Sequence, residues 1–286
     1  MDRSPSQPYL IKPSRPVLRW HGGKWRLSNW IISHFPEHKI YVEPFGGAAS
    51  VLIKKKPAQS EIYNDLDNDL FNLFSILRNG DSDRLIKMLE LTPWSRKEFE
   101  LAYEPTDDPV EQSRRTIVRC FMGFGTTGMT KYATGFRGKA DHGNTTGVHD
   151  FINYPKAMPA IIDRLRGVIL ENRPAIDVIK AQDSPDTLFY CDPPYPHGTR
   201  SSFRSGRHYR HEMSDSEHRR LGQVLRLVRG MVVISGYHCD LYDNELYSDW
   251  RCVERAANAD GGKKRVECLW INPAAQKALE EEDEKA

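Results

Sequence analysis

The sequence predicts an α/β fold, a mostly parallel sheet covered by helices and closed by a C-terminal antiparallel hairpin. Three observations predict it. Short apolar runs bounded by turn residues recur at 40–45, 61–65, 168–171, 187–191 and 231–235; they have the length and flanks of strands. Helical periodicity fills most of the gaps, the rhythm of a parallel sheet with both faces covered. The last two strand-like runs, 250–257 and 266–272, are joined through Gly261-Gly262 and read as a hairpin.

The elements follow in order. Residues 1–16 are polar and proline-rich and are expected to be disordered. The first strand, Ile40 to Phe45, ends at Gly46-Gly47. Ala48 to Lys56 continues as a helix, because Ala48, Val51 and Leu52 have helical spacing. Glu61 to Asp65 is the second strand. Leu70, Leu73, Phe74 and Leu77 make 68–78 an amphipathic helix, and further helices are expected at 82–91, 95–104 and 109–122. Residues 123–147 then hold seven glycines and no long apolar run, a loop long enough to be functional or disordered. The strand Val168–Glu171, the helix Ala175–Ala181 and the strand Thr187–Cys191 resume the rhythm. Ser214 with Glu217 three residues on is a capping box, opening a helix that runs to about Arg229. A core at 17–80 and 151–273 is thus expected, interrupted by an insert at 81–150. The acidic run at 280–284 places a disordered tail at 274–286.

Composition narrows the function classes. The chain has 286 residues, 39% of them hydrophobic, enough for a packed core. The longest strongly apolar run, Met231–Ile234, is far too short to span a bilayer, and the N-terminus has no apolar h-region. A cytoplasmic monomer with no membrane partner is expected. The five cysteines show no CxxC spacing, and the histidines, including His21, His197 and His238, form no H-x-E pattern; no metal is expected. The net charge of +2 conceals a more basic body behind the acidic end, which suits a polyanionic partner.

The chemistry concentrates where strands end. Thr187–Cys191 runs into Asp192-Pro193-Pro194-Tyr195. Two prolines donate no backbone hydrogen bond and fix φ at about −65°. The chain therefore leaves the sheet stiffly, with a carboxylate, a free carbonyl and an aromatic ring held just beyond the strand. That set suits a planar substrate bearing an amino group; an ordinary strand exit with a buried Tyr is the alternative. Ligands of open α/β sheets bind outside the carboxyl ends of strands. There also lie Glu43-Pro44-Phe45-Gly46-Gly47 and, 19 residues after Gly46, the acid Asp65, placed for ribose hydroxyls. No G-x-G-x-x-G fingerprint is present, which favours a nucleoside without phosphates over a dinucleotide. Trp20-His21-Gly22-Gly23-Lys24 precedes these, and Lys24 could meet a carboxylate.

Together the stretches RWHGGK (19–24), YVEPFGGAASVL (41–52), IYNDLDNDL (62–70), LFYCDPPY (188–195) and GGKKRVECLWINP (261–273) resemble the Dam-like N6-adenine DNA methyltransferases, in order and over most of residues 17–273. The resemblance implies a Rossmann-like methyltransferase sheet, a helical and loop target-recognition insert, and S-adenosylmethionine as cofactor. It implies that Trp20 and Lys24 hold the methionine end, with Lys24 on the carboxylate. Glu43, Pro44, Phe45, Gly46 and Gly47 would form the pocket floor, and Asp65 would take the ribose. Asp192 and the Pro193 carbonyl would accept the adenine amino group, next to Pro194, and Tyr195 would stack on a base flipped out of double-stranded DNA. Ala49 stands where the family usually has a glycine. Pro174 stands where relatives often carry an acid for the cofactor's adenine, so that contact is unassigned.

Two basic stretches without acids bracket this motif. Residues 113–140 hold Arg114, Arg115, Arg119, Lys131, Arg137 and Lys139; residues 193–211 hold Arg200, Arg204, Arg207 and Arg210. Arg119, Lys131, Arg137, Lys139 and the four arginines of the second stretch are expected to bind DNA, chiefly at phosphates. The expected function is site-specific adenine N6-methylation in a bacterial or phage-infected cell, alone or within a restriction–modification pair. Methylation of an RNA base or a protein glutamine, or a non-catalytic DNA-binding relative, are the alternatives. The family's GATC-reading pattern is not evident in 123–138, so no recognition site is carried over.

Overall fold

The computed structural model describes residues 12–20, 22–124, 134–138, 147–199, 210–258 and 264–285. The chain folds as α1 (Ser28–Ile32), β1 (Ile40–Glu43), α2 (Ser50–Lys54), β2 (Ser60–Asn64), α3 (Asn68–Arg78), α4 (Ser82–Leu91), α5 (Arg96–Leu101), α6 (Pro109–Met122), α7 (Gly147–Leu165), β3 (Val168–Glu171), α8 (Ala175–Ala181), β4 (Thr187–Cys191), α9 (Asp215–Leu225), β5 (Met231–Gly236), β6 (Arg251–Asn258), β7 (Lys264–Ile271) and α10 (Pro273–Asp283). The strands form one sheet in the order β3-β2-β1-β4-β5-β7-β6. The first five are parallel, and β7 runs antiparallel to both β5 and β6. This is the Rossmann-like sheet with a closing hairpin that the sequence predicts. Among the described residues no helix is long and apolar enough to cross a membrane.

Alternation along the strands sorts side chains into two cores. Tyr41, Tyr63, Tyr190, Val233 and Ile271 face one cluster; Val42, Ile62, Phe189, Val232 and Trp270 face the other, under α8 and α9. The first cluster also takes Leu85 and Leu89 of α4, Phe99 of α5 and Ile117 and Phe121 of α6. The helices of the expected insert thus share the sheet's own core.

Strand order reverses between β1 and β4. From β1 the chain steps outward through β2 to β3, then returns to β4 on the other side. The register pairs Tyr41 with Leu188 and Val42 with Phe189. Glu43–Gly47 and Asp192–Tyr195 therefore leave the sheet side by side, at the position where open sheets hold ligands.

Three expectations change. α7 spans 19 residues with Pro155 and Pro159 inside it, whereas the sequence reading placed no helix there. Each internal proline costs about 3 kcal/mol or more. Phe151, Tyr154, Met158, Ile161 and Leu165 are all buried on it, and that packing outweighs the cost. The acidic end is not a disordered tail: α10 is capped by Asn272, whose side chain accepts from Ala275 N–H, and Pro273 opens it. Ala275 is buried, with Ala278 and Leu279 packed against the core; counting charges hid this apolar stripe. Residues 12–16, expected as part of a disordered segment, are described: Arg15 donates to the Asp150 carbonyl at 3.1 Å and lies over the rings of Phe121 and Tyr154. The remainder of that segment, 1–11, lies outside the described residues.

Candidate functional site

The carboxyl ends of β1, β2 and β4 enclose a cavity of about 590 Å³. Trp20, Gly22, Gly23 and Lys24 line one side, Glu43 to Ala48 the floor, and Asp65 to Asp67 and Pro174 to Asp177 the far side; Asp192 and Pro194 close it. These elements are far apart in sequence and meet only because strand order reverses here.

The glycine turn is shaped by its own protein neighbours. A Cβ at Gly46 would run into the Tyr63 ring, which stacks on Phe74 and donates its OH to the Gly47 carbonyl at 2.7 Å. Gly47 has φ +50°, and a Cβ there would come within 3.0 Å of the Trp20 indole nitrogen. Ala49 also adopts the left-handed region, φ 52° and ψ 34°, at a cost of about 1–2 kcal/mol. The alanine thus keeps the conformation that a glycine would hold freely. Asp65 ties the turn to β2, accepting from Gly47 N–H at 2.9 Å and from Asp67 N–H at 2.8 Å. Burial pushes its carboxyl up to about 6, against the pull of these two donors.

Asp192 is held from two directions. Ser235 Oγ of β5 donates to its Oδ1 at 2.7 Å, and Lys24 Nζ lies 2.9 Å from the same oxygen. Lys24 also donates to the Gly22 carbonyl at 2.9 Å, approaches Glu267 at 3.5 Å and lies 4.9 Å above the Tyr195 ring. Tyr195 is buried; its OH donates to Glu267, and Tyr237 meets its ring edge-on at 4.8 Å. Burial raises the Glu267 carboxyl, with Lys24 opposing and the Asp192 charge assisting. Glu43 lies beneath, accepting from Tyr41 OH at 2.6 Å and Leu52 N–H at 2.7 Å. Burial pushes Glu43 up to about 8 despite these donors, so it is largely neutral at pH 7.

The structure brings Trp20, Lys24, Glu43, Pro44, Phe45, Gly46, Gly47, Asp65, Asp192 and Pro194 onto one cavity. Pro193 and Tyr195 are buried beside it and are not part of its lining. Lys24 is engaged with Asp192, Gly22 and Glu267. Glu267, Ser235 and Asp177 were missed. A glutamate inside the apolar run Val266–Asn272 is itself the overlooked signal, since a charge in a core strand needs a partner. Ser235 carried no signal in the sequence. Asp177 on the first turn of α8 lines the cavity three residues after Pro174.

Two of the expected DNA contacts are paired within the protein. Arg119 is buried and pairs with Asp69 at 2.6 Å. Arg210 pairs with the same Asp69 at 2.6 Å and with Asp67 at 3.2 Å. The fold brings both to the acidic start of α3, which neutralises them. Arg114 and Arg115 are likewise held by Glu111, each at 2.7 Å. Arg137 lies beside Gly147 at the start of α7, its carbonyl accepting from Trp94 Nε1 at 3.2 Å. Lys131, Lys139, Arg200, Arg204 and Arg207 lie outside the described residues.

Comparison with known proteins agrees with this geometry. The chain is 28% identical over 207 residues to a DNA adenine methylase of Haemophilus influenzae, covering 65% of this chain and 66% of that protein. It is 23% identical over 275 residues to the DNA adenine methylase of Escherichia coli K12, covering 91% and 95%. A Vibrio cholerae DNA adenine methylase is 27% identical over 215 residues, 68% of this chain and 70% of its own length. The sequence model of the D12 class N6 adenine-specific DNA methyltransferases matches residues 20–258, which include every residue lining the cavity, and the chain belongs to that family.

Proposed function

We propose that the protein transfers a methyl group from S-adenosylmethionine to the exocyclic nitrogen of an adenine extruded from double-stranded DNA. One observation carries the reading: the Asp192 carboxylate, fixed by Ser235 and Lys24, shares a cavity with the Gly46-Gly47 turn and Asp65. The cavity suits the cofactor. Its volume lies within the range of about 300–1,000 Å³ common for small-molecule sites. Asp65, Asp177 and Asp192 on its walls suit a ligand carrying a positive sulfur. Bound S-adenosylmethionine supplies a methyl group on that sulfur, open to displacement by an amine.

The protein's part is positioning and electrostatics. The adenine amino nitrogen is a poor nucleophile because its lone pair is drawn into the ring. An N–H donated to Asp192 favours a pyramidal nitrogen, and the carboxylate stabilises the positive charge that grows there. Ser235 and Lys24 keep that carboxylate from rotating away. Tyr195, braced by Glu267 and Tyr237, offers a ring of fixed orientation for the extruded base. Lys24 is thereby assigned to Asp192, not to the methionine carboxylate. Asp177, which lines the cavity three residues after the unassigned position at Pro174, is proposed for the cofactor's adenine. Arg119, Lys131, Arg137, Lys139, Arg200, Arg204, Arg207 and Arg210 are the proposed contacts to DNA, with Arg119 and Arg210 exchanging their Asp69 partner for phosphate.

The cofactor half is tested by calorimetry. Asp65 titrates at about 6, and ribose hydroxyls need its ionised form as acceptor. Affinity for S-adenosylmethionine should therefore be full above that value and fall as pH drops through it. Asp65→Ala should weaken binding by about 1.5–3 kcal/mol, the loss of a charge-assisted hydrogen bond, and abolish the pH step. Wild-type affinity in the variant removes Asp65 from the site. No binding to the wild type at neutral pH rejects the cofactor assignment.

A further inference from the structure

On the opposite side of Ser235 and Glu267 from the cavity, three metal-ligating side chains converge from three separate elements. Cys252 lies on the outer strand β6, Cys268 on β7, and His238 two residues beyond β5. The two sulfurs and an imidazole nitrogen all lie within 4.8 Å of one another. β-Register explains the meeting: Glu254 pairs with Cys268 and Cys252 with Trp270, which places all four on one face of the hairpin. His238 packs edge-on against that Trp270 at 6.0 Å. We propose that Cys252, Cys268 and His238 form a zinc site.

The donor set and the geometry both point to that ion. Zn²⁺ takes four ligands tetrahedrally, with Zn–S near 2.3 Å and Zn–N near 2.0 Å, so bound donor atoms stand about 3.3–3.8 Å apart. The present spacing needs only a small contraction. His238 is oriented as a ligand should be. Its Nδ1 faces Asp243 at 2.9 Å, leaving Nε2 as the ligating atom. Glu254 Oε1 is 3.1 Å from Nε2 and stands outside the three-donor cluster; it yields Nε2 to the ion, whose fourth position is left to water. A carboxylate behind a ligating histidine fixes its tautomer and strengthens it as a donor. Binding releases the two thiol protons to solvent. The spacing rule that led to the expectation of no metal misses this set, because no two of its members share a short motif.

The site lies close to the chemistry without touching it. His238 follows Tyr237, which braces Tyr195, and Cys268 follows Glu267, which accepts from the Tyr195 OH. An ion here would lock the β5 exit to the hairpin, and with it both supports of that ring.

The test uses the full-length, fully reduced protein, loaded with zinc and dialysed free of excess metal. Elemental analysis should find about one zinc per chain. Cobalt in its place should give intense thiolate charge-transfer bands and the visible spectrum of a tetrahedral site. Cys252→Ser is on the exposed side of β6 and should fold normally by circular dichroism; it should lose the thiolate bands and the stoichiometric zinc. Asp243→Asn leaves every ligand in place and should weaken zinc affinity by about 10–100-fold. Reduced wild-type protein that retains no zinc and shows no cobalt–thiolate bands overturns the proposal. So does a Cys252→Ser variant with wild-type stoichiometry. A stable Cys252–Cys268 disulfide that forms equally fast with and without zinc also overturns it, since bound thiolates are protected.

Discussion

Asp192→Ala is expected to abolish methyl transfer and leave the fold intact. Asp192 stands at the end of β4 on the cavity and is fixed from two sides, by Ser235 and Lys24. Removing a group that stabilises developing charge costs on the order of 10²–10³ in rate. The variant also leaves Lys24 with Glu267, so no buried charge is stranded. Single-turnover kinetics at saturating cofactor isolate the step. Because Asp65, not Asp192, anchors the glycine turn, S-adenosylmethionine binding should persist. Turnover within tenfold of the wild type would remove Asp192 from the reaction.

The largest expected effect on stability lies elsewhere. Arg164 of α7 is 1% exposed; it meets the Glu61 oxygens at 2.6 and 3.0 Å and the Leu52 carbonyl at 2.5 Å. Lys55 reaches the same carboxylate at 2.8 Å. Desolvation alone would raise the Glu61 carboxyl, but Arg164 and Lys55 outweigh it and hold it below the usual range. Arg164→Ala should cost about 3–5 kcal/mol, the range for breaking a buried pair, because Lys55 is left to balance the buried Glu61 carboxylate alone. Denaturant unfolding measures this directly. A loss below about 1 kcal/mol would mean that the pair is not what joins α7 to β2. The same lowered carboxyl makes the pair's stability complete above the unfolded value of about 4.5, and lost as pH falls through the lower folded value.

What was legible in the sequence is what local pattern controls. The strands at 40, 61, 187 and 231 are buried on both faces, so each reads as a continuous apolar run; the edge strand at 168 reads the same way although Ile169 is exposed. α3 has Asp67 as its cap and Leu70, Leu73, Phe74 and Leu77 inside, and its bounds of 68–78 are readable from those residues alone. The motifs at the strand ends were legible because short loops carry their chemistry in consecutive residues. What was not legible is what the fold brings together. Asp67 and Asp69 neutralise Arg119 and Arg210 from 50 and about 140 residues away. Lys24 meets Asp192 across most of the core domain. α7 hid behind two prolines whose cost is offset only by tertiary packing. The Cys252, Cys268 and His238 cluster depends on strand register, which no spacing rule records.

The central claim is that this cavity methylates the exocyclic nitrogen of adenine in DNA. Incubating the purified protein with methyl-labelled S-adenosylmethionine and mixed-sequence duplex DNA, then digesting to nucleosides for mass spectrometry, tests it most directly. The account predicts label in N6-methyladenine alone, absent with Asp192→Ala. Label in a methylated cytosine, or DNA left unlabelled while RNA or protein is modified, would contradict it.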